Sequence, residues 1–413
     1  MANSKGKMFY GWWIVIAMFM IMTFLYTPAI NLTSIFTNSV TEELGFSASS
    51  FTLYYTIMAF SCMIAAPFVG KIAKKVDIRV LIGVSTVLGG LAYLAFSFAQ
   101  NLMTFYIAAV PLGISIAGAA LIPTSLIITN WFNEKRGLAL GIAMAGSGFG
   151  GIFLSPIMTA MISNIGWRQA YLATAILIVV TILPFVFTVI RLTPAEKGLA
   201  PLGEAKVDTG APKELKGLTQ KVASKTLSFW LFVIAIVITG IVVNAMIVNL
   251  TPYLTSSGMT ATNAGIILSA ASLFVLLGKL GIGPIFDKIN LKVVMIIIGI
   301  CNVLSFIFLM NGGNFWMAIL YTAFTGIGAT AATVAPSILT ASLFGVKDFS
   351  SIFGVVSLCS SLGAALSATV ASAILASTNN NYKILLFTLI ALAIVAMALF
   401  VVSLIARPKF ETE

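Results

Sequence analysis

The chain has 413 residues, of which 60% are hydrophobic and only 8% are charged. A soluble globular domain carries about a quarter of charged residues, so this composition excludes an ordinary soluble protein and indicates a helical protein that crosses a membrane repeatedly. Histidine is absent, and the three cysteines lie in apolar runs. The sequence therefore predicts no metal site and no disulfide framework. It also contains no phosphate loop and no nucleophile–base constellation, so we expect no cofactor and no enzyme activity.

Twelve apolar segments are separated by short polar breaks, and each is long enough to cross a bilayer. We predict an all-α membrane protein with twelve transmembrane helices at 10–35, 49–70, 79–99, 102–129, 137–163, 168–191, 228–254, 262–286, 292–311, 314–341, 350–376 and 382–405. The polar stretch 192–227, which contains three prolines and four glycines, predicts a linker. It divides the chain into a six-helix bundle at 1–191 and a second one at 228–413.

The basic residues are distributed unevenly across the predicted membrane. Twenty of the 23 Lys and Arg residues lie on one side, here called the basic face, whereas the opposite side holds only Arg168 and Lys383. The positive-inside rule places both termini and the linker in the cytoplasm. The net charge of +11 then reflects topology and an anionic inner leaflet, not nucleic-acid binding. The short loops and the lysine-rich linker favour a bacterial inner membrane, and we expect a monomer.

The two halves of the chain match at an offset of 213 residues. The paired positions are Gly70 with Gly283, Gly113 with Gly326, Pro123 with Pro336, Gly141 with Gly354, Ser147 with Ser360, and Gly150 with Gly363. Because all lie in corresponding helices, we predict two pseudo-symmetric bundles that rock around a site between them. The same offset pairs Lys279 with Ala66, so packing symmetry does not explain the lysine.

Two loops at the basic face carry a recognisable motif. The connection after the eighth helix runs from Gly283 through Asp287 and Lys288 to Lys292, and it resembles the G-x-L-x-D-R-x-G-R-R loop of the major facilitator superfamily. The copy in the first half runs from Gly70 to Arg79 and has Lys74 where the motif has aspartate. The resemblance implies a latch that closes the cytoplasmic side, with its charged part altered in the first half.

Residues 131–150 contain a longer motif. It begins Trp131-Phe132, continues through Lys135 and Arg136, and then carries a run of small residues. This pattern is similar to the Y-F-x-K-R-R-x-L-A-x-G-x-A-x-x-G-x-x-x-G signature of monocarboxylate and oxalate/formate carriers of that superfamily. The small residues permit close approach of a neighbouring helix, and the two basic residues hold the cytoplasmic end. The resemblance implies a carrier of small organic anions.

Lys279 is the one charged residue in the middle of a predicted span. Burial of a charge in hydrocarbon costs at least a few kcal/mol, so such a residue usually faces a cavity and has a function. In the carriers named above, an arginine at this place in the eighth helix holds the substrate carboxylate, and lysine keeps the charge but offers a point contact. The alternative is a lysine that snorkels to the basic face, since Asp287 lies only about 12 Å further along a helix.

The charges that are missing also bear on mechanism. None of the twelve acidic residues falls at membrane depth in the predicted spans. This favours anion exchange or facilitated transport, although proton symport stays open if Lys279 itself titrates. Oxalate/formate exchangers have a second cation in the eleventh helix, where this chain has Ser357 and Ser360. A single cation favours a monoanion such as lactate, pyruvate or formate over a dianion.

Polar residues of the helices that surround the cavity in this superfamily are candidates for substrate contact. They are Tyr26, Asn31, Ser115, Asn244, Asn249, Tyr321 and Thr325. Each can instead make a hydrogen bond between helices. Besides a proton-coupled monocarboxylate symporter and an oxalate/formate-type antiporter, two alternatives remain open: a transporter of a larger amphipathic anion such as a conjugated bile salt, and a membrane receptor that transports nothing.

Overall fold

The computed structural model describes residues 8–73, 75–203, 217–379 and 381–408. Within them, twelve helices are long and apolar enough to cross a membrane. They are α1 Gly11–Ile30, α2 Ala48–Ile72, α3 Ile78–Ser97, α4 Leu102–Trp131, α5 Arg136–Ile165, α6 Trp167–Thr188, α7 Leu227–Ser256, α8 Ala261–Lys288, α9 Leu291–Leu309, α10 Phe315–Thr333, α11 Phe349–Ser377 and α12 Tyr382–Ile405. The prediction of a twelve-helix membrane protein is confirmed.

Most helices begin at a polar residue whose side chain accepts a hydrogen bond from a backbone N–H of the first turn. These caps are Ser47, Asp77, Asn101, Thr226, Thr260, Asn290, Asn314 and Asn381. Such a cap satisfies one of the backbone donors that a helix start leaves free, and it places each boundary at a polar break in the sequence. This is why most predicted and observed bounds agree within two residues.

The first span is shorter than predicted. It ends at Ile30 and includes a π-helical turn at Met22–Tyr26, and a separate helix, Thr33–Leu44, follows it. The turn coincides with hydrogen bonds from Thr23 and Thr27 to backbone carbonyls of α5. Apolar content alone extended the first predicted helix to residue 35, because it does not register the break at Asn31 and Leu32 that separates the two helices.

The two halves meet through α5 with α8 and through α2 with α11, and the contacts obey the offset of 213. Gly283 packs against the Gly137 carbonyl, as Gly70 packs against the Ser350 carbonyl. Gly141 packs against the Lys279 carbonyl, as Gly354 packs against that of Ala66. Each residue is displaced from its counterpart by 213 positions. The structure therefore reproduces the sequence repeat as two equivalent crossings of small residues.

Away from the basic face, α5 and α8 diverge. Gly148 of α5 still touches Leu276 of α8, with a distance of 3.0 Å from the Leu276 Cβ to a Cβ built on the glycine. Gly265 lies eleven residues before Leu276, which is three helical turns and hence the same face of α8. A Cβ built at Gly265 meets nothing within 4 Å. Helices α5 and α8 are thus in contact at the basic face and separate toward the other one.

Both described flanks of the predicted linker are attached to loops of the basic face. Leu202 donates its N–H to the Trp131 carbonyl and accepts from the N–H groups of Asn133 and Glu134. After the gap, Leu218 donates its N–H to the Phe344 carbonyl at 2.8 Å. The loops are equivalent in the two halves. The domain limits at 191 and 228 stay a prediction, since residues 204–216 lie outside the described chain.

Candidate functional site

Lys279 is buried inside the molecule. Its side chain is only 5% exposed, and its Nζ donates a hydrogen bond of 2.7 Å to the Ser147 Oγ of α5. The backbone of α8 is pressed against two helices here, since Gly278 packs on the Gly326 carbonyl of α10 and Gly141 packs on the carbonyl of Lys279 itself. With the backbone held in this way, the Lys279 side chain extends from α8 in the second half to α5 in the first half.

Ser147 is held in place by three further hydrogen bonds. Its Oγ donates to the Met144 carbonyl at 2.9 Å. Its own carbonyl accepts from Asn31 Nδ2 at 3.0 Å and from Thr27 Oγ1 at 3.1 Å, where the one hydroxyl proton is shared with the Met22 carbonyl at 3.0 Å. Both donors lie at the end of α1, just beyond its π-helical turn. The hydroxyl proton is committed to Met144, so a lone pair of Ser147 faces the ammonium of Lys279.

No carboxylate pairs with Lys279 among the residues that the structure describes. An ammonium group has three N–H donors, and the described contacts use one. The partner that is present is a neutral hydroxyl, which compensates a buried charge less well than an anion does. The site therefore has an unused capacity to bind a negatively charged group.

Two of the other predicted residues lie near this network. Asn31 is exposed and bonded to the Ser147 carbonyl. Tyr26, which precedes Thr27 on α1, is half-buried. Sequence reasoning gave Ser147 only as a member of the repeat, and it did not single out Thr27. A serine in a run of small residues indicates close helix packing, and nothing in that pattern reveals a ligand of the lysine.

The remaining predicted substrate residues are not brought to Lys279 by any described contact. Ser115 faces α3, where its Oγ lies 2.6 Å from a Cβ built on Gly89. Asn244 and Asn249 donate to carbonyls one turn back in α7. The Tyr321 ring contacts Phe306 of α9, with centroids 6.5 Å apart.

Thr325 and the two serines of α11 complete the set of predicted residues. Thr325 lies beside Tyr321, but its buried Oγ1 makes no hydrogen bond of standard geometry within the described chain. Ser357 and Ser360 are half-buried in α11, and the Ser360 carbonyl lies against Gly240 of α7.

Comparison with known proteins settles the family of this fold. The sequence profile described as Major Facilitator Superfamily matches residues 12–310 and 252–413. The chain belongs to the major facilitator superfamily. Its fold resembles that of the proton:xylose symporter XylE bound to 6-bromo-6-deoxy-D-glucose, with a TM-score of 0.72, 13% identity, and coverage of 96% of this chain and 94% of that one. At that identity the likeness concerns the fold alone.

Relatives in sequence are transporters of the same superfamily. The MFS-type transporter YhjX of Escherichia coli is 24% identical over 341 residues, which is 80% of each chain. Monocarboxylate transporter 11 of Homo sapiens is 24% identical over 373 residues, covering 86% of this chain and 75% of that one. The probable transporter MCH2 of Saccharomyces cerevisiae is 32% identical over 172 residues, covering 41% and 36%. The chain is thus a transporter of this superfamily.

The superfamily loop after α8 forms a direct contact between the halves. The Asp287 carboxylate accepts hydrogen bonds from the backbone N–H groups of Gly137 and Leu138 at the start of α5, at 2.7 and 2.9 Å. Gly283 supplies the close approach described above. Lys288 is exposed.

The corresponding loop in the first half of this superfamily member is built differently. Gly70 packs on the Ser350 carbonyl, and the Ser350 Oγ donates to the Gly70 carbonyl at 3.2 Å. Arg79 pairs with Asp77 on its own helix start, at 2.6 Å, and has no described contact across the halves. Lys74 lies outside the described residues.

Lys135 and Arg136 shape the turn before α5. Lys135 adopts a left-handed conformation with φ of 58°, which is uncommon for a residue with a side chain. Arg136 donates from its Nε to the Phe132 carbonyl at 2.9 Å and from its Nη2 to Asn133 Oδ1 at 3.2 Å. The arginine therefore satisfies carbonyls at the end of α4, and its position agrees with a structural role in the turn.

Proposed function

We propose that this transporter moves small organic monoanions, such as lactate, pyruvate or formate, by alternating access, and that Lys279 binds the carboxylate. The observation that carries the proposal is the buried ammonium of Lys279, whose one described hydrogen-bond partner is the neutral hydroxyl of Ser147. A carboxylate would supply the missing countercharge and occupy a free N–H donor. Monocarboxylate transporters among the relatives support the same substrate class.

The charge of the site favours one carboxylate over two. Lys279 is the single cation in the middle of a predicted span, and the serines of α11 stand where a second cation would be needed for a dianion. A larger amphipathic anion would also pair its negative charge with Lys279. Competition experiments therefore have to distinguish small monoanions from larger ones.

The same charges favour exchange over proton symport. The described spans place no carboxylate beside Lys279 that could carry a coupled proton. An empty carrier would have to reorient with an uncompensated buried ammonium, whereas a loaded one moves with its charge paired. We therefore infer exchange of internal for external anion as the main mode.

The distribution of basic residues supports an orientation with the basic face in the cytoplasm of a bacterial inner membrane. The closed contacts of α5 with α8 lie at that face, and the divergence of the two helices lies opposite. In this orientation the structure corresponds to an outward-facing state.

Uptake of labelled lactate, formate and oxalate into proteoliposomes tests the proposal, with and without internal anion and a pH gradient. Lys279→Gln removes the charge, Lys279→Arg keeps it, and Lys383→Gln removes an exposed charge from the opposite face. We expect uptake that needs internal anion, ignores the proton gradient, falls at least about tenfold in Lys279→Gln, and survives in Lys279→Arg and Lys383→Gln.

Several outcomes would count against this assignment. Unaltered uptake in Lys279→Gln would remove the lysine from the site. Uptake driven by a pH gradient without internal anion would indicate proton symport. Inhibition by bile-salt conjugates but not by lactate or formate would indicate the larger substrate class, and the lack of any countertransport would favour a receptor.

A further inference from the structure

The hydrogen bond between Lys279 and Ser147 crosses from one half of the carrier to the other. Lys279 belongs to α8 and Ser147 to α5, and their hydrogen bond of 2.7 Å lies beside the contact of Gly148 with Leu276. Rocking of the halves must separate α5 from α8 at the basic face. The bond therefore exists in the state described here and has to break when that face opens.

We infer that Ser147 is the partner that a substrate carboxylate replaces on Lys279, and that their hydrogen bond holds the empty carrier closed at the basic face. This inference rests on the proposed function for its first part. Its second part concerns the empty carrier and needs no substrate.

The contacts of Ser147 fix its hydroxyl oxygen as a hydrogen-bond acceptor in the place that the substrate anion would take. Thr27 and Asn31 hold its carbonyl, and Met144 takes its hydroxyl proton, so its Oγ is oriented as an acceptor. A carboxylate oxygen accepts from an ammonium more strongly than a hydroxyl does. In the inferred step the substrate takes over the N–H donor now directed at Ser147 as well as a free one, and the charge of Lys279 stays paired while the halves move.

The repeat shows that packing alone does not require this bond. Ser147 corresponds to Ser360, and Lys279 corresponds to Ala66. The crossing of α2 with α11 is built from equivalent small residues, with Gly354 against the Ala66 carbonyl, and it has no lysine. The hydrogen bond between Lys279 and Ser147 therefore has no counterpart at the crossing of α2 with α11. Its loss should affect the conformational equilibrium while the close packing of the other crossing remains.

The first test measures the empty carrier by distances between two spin labels. Val76→Cys and Ile289→Cys place labels on the two equivalent loops of the basic face, each residue being 42% exposed, after replacement of the three native cysteines by alanine. We expect a single short distance in the parent protein and a second, longer population in Ser147→Ala. Ser367→Ala is the matched control, because Ser367 is buried and donates only to its own helix, at 2.6 Å. An unchanged distribution in Ser147→Ala would overturn the inference.

The second test measures transport kinetics. In Ser147→Ala the anion no longer competes with the hydroxyl, so the apparent KM should fall by up to about tenfold, the equivalent of one hydrogen bond to a charged group. The ratio of exchange to net uptake should also fall, because the empty carrier returns more easily. A raised KM would make Ser147 a direct substrate ligand and overturn the displacement step. If the parent protein carries no organic anion, the proposed function fails, and the distance measurement still decides whether the hydrogen bond between Lys279 and Ser147 holds the basic face closed.

Discussion

Asp287 and Gly137 are joined across the two halves by a hydrogen bond of 2.7 Å from the glycine N–H to the aspartate Oδ1. The second oxygen of the carboxylate accepts from Leu138 N–H. A negative charge at the start of a helix is favourable, because the first N–H groups have no partner within the helix and carry the positive end of its dipole. One carboxylate of the second half thus caps a helix of the first.

Removal of this cap should open the basic face. We expect Asp287→Asn, which keeps one acceptor oxygen, to increase the population with the longer distance between labels at 76 and 289. Asp287→Ala should increase that population further. The effect should be about 1 kcal/mol, since the carboxylate is partly solvated. Asp77→Asn is the control, because Asp77 caps its own helix α3. Equal distributions in all four proteins would contradict the cap's role.

The two small-residue crossings should differ in their tolerance of a methyl group. A Cβ at Gly141 would collide with the Lys279 carbonyl, whereas one at Gly354 would lie 3.1 Å from the Ala66 carbonyl. Gly141→Ala should therefore lower the melting temperature and the transport rate more than Gly354→Ala. At Gly151 nothing lies within 4 Å, so Gly151→Ala should be neutral or slightly stabilising through helix propensity. A Gly141→Ala protein as stable as Gly151→Ala would show that α5 and α8 can shift apart freely.

The two donors to the Ser147 carbonyl should act as a unit. Thr27→Val and Asn31→Ala each leave one hydrogen bond to that carbonyl, whereas the double variant leaves a carbonyl without either donor. We expect each single change to cost about 1 kcal/mol or less, and the pair to cost more than the sum. A double-mutant cycle of thermal unfolding in detergent measures this coupling, and strict additivity would argue against a shared acceptor.

The ion pair at the start of α3 should give a pH-dependent contribution to stability. Hydrogen bonds from the Arg79 side chain, followed by that from its backbone N–H, hold the pKa of Asp77 below its usual value. A lowered carboxyl pKa stabilises the folded state above the unfolded pKa of about 3.9, and this stabilisation is lost as the pH falls through the folded pKa.

Arg79→Gln should accordingly lower the melting temperature slightly at pH 6, because exposed pairs contribute little, and the difference should vanish in strong acid. The repeat supplies a control: Asn290 and Lys292 occupy the equivalent positions, and Asn290 cannot titrate. Lys292→Gln should show no such dependence on pH. A difference for Arg79→Gln that persisted in acid would assign the effect to packing.

The helices and the repeat could be predicted from the sequence because both rest on local features. Apolar runs, polar caps such as Asn101 and small residues at equal spacing can all be identified in the sequence itself. The sequence also predicted a role for Lys279, since an isolated charge in an apolar run has few explanations.

The partners of these residues could not be predicted in the same way. Asp287 binds backbone N–H groups, which leave no trace in the identity of Gly137 or Leu138. Ser147 resembles its neighbours in a run of small residues, and only the rotation of α5 against α8 shows that its hydroxyl meets the lysine. The direction in which Ser115 points likewise follows from packing against Gly89, which periodicity does not determine.

The attachment of Leu202 to the turn before α5, and of Leu218 to the Phe344 carbonyl, makes each half self-contained at the basic face. Each flank is secured to its own bundle before the chain passes to the other. Since each described flank is held by its own half, we expect the carrier to work as two separately expressed fragments divided between Glu204 and Lys216. In evolutionary terms, such a joint lets a duplicated gene keep both copies intact while the sequence that connects them changes in length and charge.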